Sequence, residues 1–442
     1  VPQENALKIR EANAKRPLRV LMLSWEYPPV VVGGLGRHVH ALATSLAAAG
    51  HQVTVVTRHS PDAALEEIHE GVRIVRAPED PPLFPLRTPT LLSWTMALNH
   101  SLTRAALHAA ATDRYDVIHA HDWLVTHAAV TMRDHLGIPL IATIHATEAG
   151  RHQGWLPDEM NRCIHSVEWW LGHEASKVLV CSGYMRWEVS RLLNLAPEKI
   201  KIIPNGVDAP VWQANPAAVA AVRARFAGPG PLVGFAGRLV YEKGAQHLVS
   251  ALPELRQRHP GLRVVIAGDG PHRGELQEET KRLSLEGAVS FPGFVGAELP
   301  ATLAATNAMV VPSIYEPFGM VALEAAAAGA PLAVAAIGGL AEIVEPGVTG
   351  VTFPAKNPDA LADAVSTLLS DEMAARKMAD QARKMVQTKY GWQAIAARTA
   401  DAYRTAVTQA PENQAEARAR RLASRPAIVV PEGNLLALDG AQ

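Results

Sequence analysis

Residues 308–324 read Ala308-Met309-Val310-Val311-Pro312-Ser313-Ile314-Tyr315-Glu316-Pro317-Phe318-Gly319-Met320-Val321-Ala322-Leu323-Glu324. A short apolar run closes on a proline, a polar turn carries a glycine, and an alanine- and leucine-rich helical pattern follows. Unbroken apolar residues, rather than alternating ones, are what a strand buried on both faces requires. The unit is therefore strand, turn, helix, the building block of a parallel sheet covered by helices. Two carboxylates punctuate it, Glu316 ahead of the helix and Glu324 inside. At 1.5 Å of rise per residue their backbones differ by roughly 10–12 Å along the axis. That separation suits two ends of one elongated ligand, with an anionic group at the helix N-terminus between them.

The same alternation extends in both directions. Upstream, apolar runs at 232–237, 263–268 and 289–291 predict strands, and downstream so do 331–335 and 351–353. An earlier series lies at 19–24, 52–57, 72–76, 116–119, 139–145, 177–181 and 201–204. Between its first two members, residues 36–49 carry Val39, Leu42, Ala43 and Leu46 on one helical stripe. Asn205-Gly206-Val207-Asp208 interrupts the series, with Pro210 and Pro216 following. The chain thus reads as α/β, two doubly wound halves joined near residue 207. The expected divisions are a 1–17 extension, an 18–208 domain, a 209–389 domain, a helix at 390–408 and a 409–442 tail. That helix carries Trp392, Ile395, Ala396, Thr399, Tyr403 and Val407 on one face. Within the tail, 428–438 is strand-like.

Composition narrows the function classes. Of 442 residues, 48% are hydrophobic and 19% charged, which is ample material for a core, and the formal net charge is -1. No basic field points to nucleic acid or anionic lipid. Residues 1–17 lack the apolar core of a signal peptide, and no apolar run is long enough for a transmembrane segment. Residues 91–111 are apolar with helical period, but Asn99, His100, Arg104 and His108 interrupt them, predicting a core-facing or cleft-facing helix, with attachment to a membrane surface as the alternative. Two cysteines, Cys163 and Cys181, fit a reducing cytoplasm and exclude a disulfide framework. Both read as structural. The expectation is a cytoplasmic enzyme.

Several residues gather at predicted strand ends, where ligands bind in open α/β sheets. Gly33-Gly34-Leu35-Gly36 precedes the first helix and can bring backbone N–H groups to an anion. Its spacing is not that of a dinucleotide fingerprint. Arg238 and Lys243 follow the 232–237 strand, two cations able to stabilise charge growing on a departing diphosphate. Gly338-Gly339 follows the 331–335 strand and repeats the glycine-loop logic. On this reading Glu316 meets a sugar and Glu324 ribose hydroxyls. The sequence has no Asp-x-Asp pair to hold a divalent metal on phosphates, so cations and helix dipoles must meet the charge, and no metal or other cofactor is expected. His119 and His121 lie two apart beside Asp122, with no third local ligand, and read as cleft histidines rather than a metal site. Trp169-Trp170, Trp155 and Trp187 are expected to pack in a core or interface.

These motifs together resemble the retaining glycosyltransferases of family 4 and the related glycogen and starch synthases, which share the GT-B fold. The E-x7-E pattern at Glu316 and Glu324, the glycine loop at Gly33 and Gly34, the Arg238/Lys243 pair, His121-Asp122-Trp123 and Thr143-Ile144-His145 carry the resemblance over roughly residues 18–408. It implies two Rossmann-like domains facing across a cleft, the last helix crossing back to the first domain. It also implies a same-face displacement in which the leaving diphosphate takes the acceptor proton. His145 would then lie near the donor sugar and Glu316 would bond its hydroxyls. Glu324 would hold the ribose, and Asp122 would line the acceptor side. Phe318, Gly319, Met320 and Val321 would offer amides to the phosphates, with Gly338 and Gly339 nearby. Narrower similarity lies in Ser24-Trp25-Glu26-Tyr27-Pro28-Pro29, in residues 144–152 and in Tyr315-Glu316-Pro317-Phe318-Gly319. It points to bacterial α-1,4-glucosyltransferases that elongate glycogen or polymethylated glucose polysaccharides. UDP-glucose or ADP-glucose would be the donor and an oligo- or polysaccharide the acceptor. The Lys-x-Gly-Gly opening of large glycogen synthases is lacking, Val32 preceding Gly33-Gly34 instead, which leaves donor base and acceptor open. The alternatives are a family 4 transferase with a lipid, polyol or sugar-phosphate acceptor, a sugar-nucleotide epimerase, and a binding module without turnover.

Overall fold

The computed structural model describes residues 16–31, 33–80, 83–228 and 230–423, with side chains through residue 410. Most of the expected 1–17 extension and the strand-like 428–438 lie outside the described residues. The described residues form two compact units: those within 1–181, 186–203 and 392–442 make the first, and those within 182–185 and 204–391 make the second.

The first unit is built on an eight-stranded sheet. Its strands are β1 (Arg19–Leu23), β2 (Gln52–Arg58), β3 (Glu66–His69), β4 (Val72–Ala77), β5 (Val117–His121), β6 (Leu140–Thr143), β7 (Lys177–Val180) and β8 (Ile200–Ile202). Their order is β3-β4-β2-β1-β5-β6-β7-β8. Every pairing is parallel except β3 with β4. The strand β3 has no counterpart in the sequence reading, because Glu-Glu-Ile-His offers no apolar run. It survives as an edge whose outward charges discourage further pairing, tied to β4 by Glu66–Arg73 at 2.7 Å and Glu67–Arg76 at 2.6 Å.

Helix α1 (Gly34–Ala48) buries the expected stripe of Val39, Leu42, Ala43 and Leu46 against the sheet. Helix α2 (Leu91–Thr112) buries Trp94, Leu98, Leu102 and Ala106, one residue per turn, as an interior-facing helix should. No described helix is long and apolar enough to cross a membrane.

The second unit holds a six-stranded, wholly parallel sheet. Its strands are β9 (Leu232–Ala236), β10 (Arg263–Ala267), β11 (Val289–Gly293), β12 (Ala308–Val311), β13 (Leu332–Ala335) and β14 (Val351–Phe353). Their order is β11-β10-β9-β12-β13-β14. Val233, Val264 and Val310 from the strands pack with Leu248, Leu252, Leu361 and Val365 from the covering helices. Helix α3 (Met320–Ala328) follows β12, and its residues from Ala322 to Ala328 are all buried, which its small side chains permit.

The last helix, α4 (Trp392–Ala423), belongs to the first unit, as expected. Ile395, Ala396, Ala400, Ala402, Tyr403 and Ala406 join Val20, Met22, Leu42 and Leu46 in one buried cluster. The helix overruns its expected end at residue 408. Its backbone stays helical past Pro411, over a stretch rich in Ala, Glu, Gln and Arg, the residues that lose least on entering a helix.

Candidate active site

In each sheet the strand order reverses at one place, between β1 and β5 in the first and between β9 and β12 in the second. Loops leaving the carboxyl ends at such a reversal diverge and leave room for a ligand. The sequence-derived site residues stand at such ends. Gly33 and Gly34 follow β1, Asp122 follows β5 and His145 follows β6. Arg238 and Lys243 follow β9, Glu316 to Gly319 follow β12, and Gly338 and Gly339 follow β13.

In the second unit, Lys243 Nζ donates to Glu316 Oε2 at 2.7 Å, and Ser313 Oγ donates to the same oxygen at 3.1 Å. The loop bearing Lys243 is tied to the loop bearing Glu316 by Ile314 N donating to Glu242 O at 2.8 Å. Gly244 takes φ 73°, and any side chain there would strike the Pro312 carbonyl, so glycine lets these loops touch. Gly339 N donates to Glu316 O at 2.9 Å, and a Cβ at Gly339 would stand 2.7 Å from the Pro317 carbonyl. The sequence-predicted pieces at 243, 313–319 and 338–339 are thus held backbone to backbone. Arg238 is half-exposed, with Glu242 at 3.8 Å.

The helix α3 begins later than the sequence spacing assumed. Gly319 caps it at φ 111°, so Glu316 lies in a turn and Glu324 sits only a little over one turn into the helix. The separation estimated from helical rise across 316–324 does not apply. Glu324 is 2% exposed. The hydrogen-bond ladder opens with Ala322 N on Gly319 O at 3.0 Å, leaving the Met320 and Val321 amides ahead of it as first-turn donors. Such amides, together with the helix dipole, are able to receive an anion. Ser182 Oγ donates to Pro317 O at 2.6 Å, and Glu342 accepts from Gly183 N and Tyr184 N at 2.9 and 2.7 Å, further bracing the turn.

In the first unit, Gly33 N donates to Glu26 Oε2 at 3.0 Å, and a Cβ at Gly33 or Gly34 would meet nothing within 4 Å. The loop therefore presents bare backbone to open space. Asp122 adopts φ 61° and ψ 176°, a sparsely populated backbone conformation that glycine ordinarily occupies and that its buried surroundings must hold. Its Oδ1 accepts from His145 N at 2.7 Å, which fixes the start of the loop after β6. Burial raises the Asp122 carboxyl above its ordinary range, opposed by neighbouring His145. Burial lowers His145, with Asp122 and Glu26 pulling the other way.

His119 is not a cleft histidine: it is fully buried, with Nδ1 at 2.7 Å from Tyr403 Oη and Nε2 at 2.7 Å from Thr143 Oγ1. His121 lies beside His38 and His145, whose ring nitrogens come within 4.8 Å of it and of each other. Local spacing concealed this, because the three residues come from α1, β5 and the loop after β6. Sequence reasoning also missed Ser313 and Glu26, and only their neighbourhood to Glu316 and Gly33 signalled them. Trp169 and Trp170 do pack, on His173 and His127, whereas Trp155 and Trp187 are exposed at 48% and 45%. Both cysteines are free thiols, Cys181 buried and Cys163 half-buried.

Two Rossmann-like parallel sheets with glycine-rich and cationic loops at their strand ends define a glycosyltransferase of the GT-B fold. Residues 32–210 match the family model described as Glycosyltransferase Family 4, and 222–385 match Glycosyl transferases group 1. A glycogen synthase of Mycobacterium tuberculosis is 44% identical over 398 residues, 87% of this chain and 94% of the relative. An alpha-maltose-1-phosphate synthase of Mycolicibacterium smegmatis is 30% identical over 413 residues, 88% of this chain and 99% of its own. Among solved structures, a sucrose-phosphate synthase of Thermosynechococcus elongatus superposes with a TM-score of 0.76 at 26% identity, covering 88% of this chain and 99% of that one. The chain belongs to the family 4, group 1 glycosyltransferases and is a hexosyltransferase.

Proposed function

We propose that the protein transfers glucose from UDP-glucose or ADP-glucose to the non-reducing end of an α-1,4-glucan, with retention and without a metal ion. The acceptor rests on the 44% identity to a glycogen synthase along nearly its full length. The chemistry rests on the Lys243–Glu316 pair at the glycine-capped start of α3.

The donor diphosphate lies along the α3 N-terminus, with the Phe318, Gly319, Met320 and Val321 amides and Gly338-Gly339 around it. Glu324 holds the ribose. The bond from sugar C1 to the phosphate oxygen breaks with its electron pair going to the phosphate. The acceptor hydroxyl oxygen bonds C1 on the same face and passes its proton to that phosphate oxygen. Lys243 and Arg238 meet the growing charge, the work a metal performs elsewhere, and such fixed charges are worth several kcal/mol when preorganised. Glu316 leaves Lys243 for the sugar hydroxyls, His145 steadies the sugar, and Gly33-Gly34 and Asp122 serve from the first unit.

A second reading has a sugar phosphate as acceptor, and the 30% identity to an alpha-maltose-1-phosphate synthase favours it. One panel separates the two. UDP-glucose, ADP-glucose and GDP-mannose are each offered alone, with maltooligosaccharides and with glucose 1-phosphate, and the product anomer is read by NMR. Glucan extension from a glucose donor with α-linkage is expected. Transfer to glucose 1-phosphate alone selects the second reading, and a β-linked product removes the retaining mechanism.

A further inference from the structure

The first unit gathers three imidazoles that the proposed reaction does not use as a set. His38 lies on α1, His121 is the last residue of β5, and His145 follows β6. One ring nitrogen of each lies within 4.8 Å of the other two. His121 Nδ1 and His145 Nε2 are 3.2 Å apart. The His38 ring stands edge-on to both, its centroid 5.6 Å from that of His121 and 4.8 Å from that of His145.

A tetrahedral ion bound about 2.0–2.1 Å from imidazole nitrogens spaces them roughly 3.3 Å apart. The His121–His145 pair already has that spacing, and the His38 nitrogen, within 4.8 Å of both, closes on the ion by a shift of its ring. His121 meets His145 through Nδ1, the atom an ion would take, while its Nε2 is buried without a hydrogen-bond partner. Behind His121, the His119 ring is 4.1 Å away, anchored by Tyr403 and Thr143, and stiffens the pocket wall. The Asp122 and Glu26 carboxylates act on His145 and offset the charge of a dication. His145 is the partly exposed member and leaves a side for a water or an anion as fourth ligand.

We propose that His38, His121 and His145 form a transition-metal site that takes Zn2+, and that filling it shuts the transferase off by drawing His145 from the donor sugar. Binding stands on the geometry alone, whereas inhibition rests on the role given to His145 above.

The probe is Co2+, which reports tetrahedral nitrogen ligation through its visible absorption, followed by Zn2+ displacement. A more exposed trio, His40, His69 and Glu70, also meets the distance requirement, so the measurements use a chelator-stripped His69→Ala background. That protein is expected to bind one Co2+ with an intense visible band that Zn2+ abolishes. His38→Gln and His121→Gln, each checked for an unchanged melting transition, should weaken Co2+ binding by about 100-fold. No band in the background protein, or an undiminished band in whichever variant folds, overturns the site. Zn2+ should lower turnover at least tenfold, reversibly by chelator, while His38→Gln keeps its own Zn2+-free rate. Metal bound with turnover unchanged overturns the inhibition and the donor-sugar role of His145 and leaves the site standing.

Discussion

Replacing Lys243 by methionine keeps the stem and deletes the charge. In the free protein the ammonium sits 2.7 Å from Glu316 Oε2, an oxygen that also receives the Ser313 hydroxyl at 3.1 Å. The pair is partly solvent-screened, with side-chain exposures of 24% for Lys243 and 11% for Glu316. A hydrogen bond to a charged group is worth about 1.5–3 kcal/mol, and the screening places this one at the low end, about 1.5 kcal/mol. For a unit of this size that lowers the melting temperature by about 3–6 °C. The catalytic loss is larger if Lys243 meets the charge on the leaving diphosphate. One preorganised donor is worth about 2.7–4 kcal/mol, or about 10²–10³ in kcat. The assay is release of nucleoside diphosphate at saturating donor and maltooligosaccharide, beside a thermal melt. Turnover within about threefold of wild type, with the melt lowered as calculated, would show a purely structural ion pair and refute the catalytic reading.

Glu316→Gln should lower kcat by about 100-fold or more, and the Lys243→Met/Glu316→Gln double variant should fall short of the product of the single losses, since the two act as a unit. Gly339→Ala forces a Cβ to 2.7 Å from the Pro317 carbonyl. It should raise donor KM at least tenfold, read by initial rates, through displacement of the phosphate turn. Chelator should leave turnover at or above its starting value, and a complete loss restored by Mg2+ or Mn2+ would remove the metal-free mechanism. The stability of the first unit should fall in acid. Burial takes His119 from 6.5 to about 3, and lowers His121 and His145 as well. Below pH 6.5 the unfolded chain then takes up protons that the folded protein refuses. His119 alone supplies a slope of up to about 1.4 kcal/mol per pH unit down to about pH 3, partly opposed by the raised Asp122 carboxyl. Urea midpoints at about pH 7.5 and about pH 5 measure this, and His119→Gln should flatten the difference.

Parallel sheets write themselves into sequence because their strands are buried on both faces, which is why Val310, Val264 and Val20 announce their strands without help. Edge strands do not, and Glu66–His69 escaped notice for that reason. The phosphate turn was legible because glycine, proline and an out-of-place carboxylate crowd one loop. The register of that turn was less so: helical spacing was extended across Gly319, whose positive φ starts the helix afresh. Histidine roles were least legible. His119 and His121 look alike in sequence, yet one faces Tyr403 from α4 and the other His38 from α1 and His145 from the β6 loop. Both distinctions depend on partners far away in the chain.

The contact between His119 and Tyr403 also sets an order of events during synthesis. Tyr403, fully buried, seals the core cluster that holds Val20, Leu42 and Leu46. The ribosome therefore releases the first unit's sheet early but its closing helix only after the entire second unit has been made. The amino-terminal half must wait, with an open seam, while a complete domain emerges behind it. Domain-by-domain folding from the amino terminus, the usual economy of large proteins, is unavailable to this chain. A nascent chain stalled before Trp392 should be sensitive to protease in the first unit and resistant in the second.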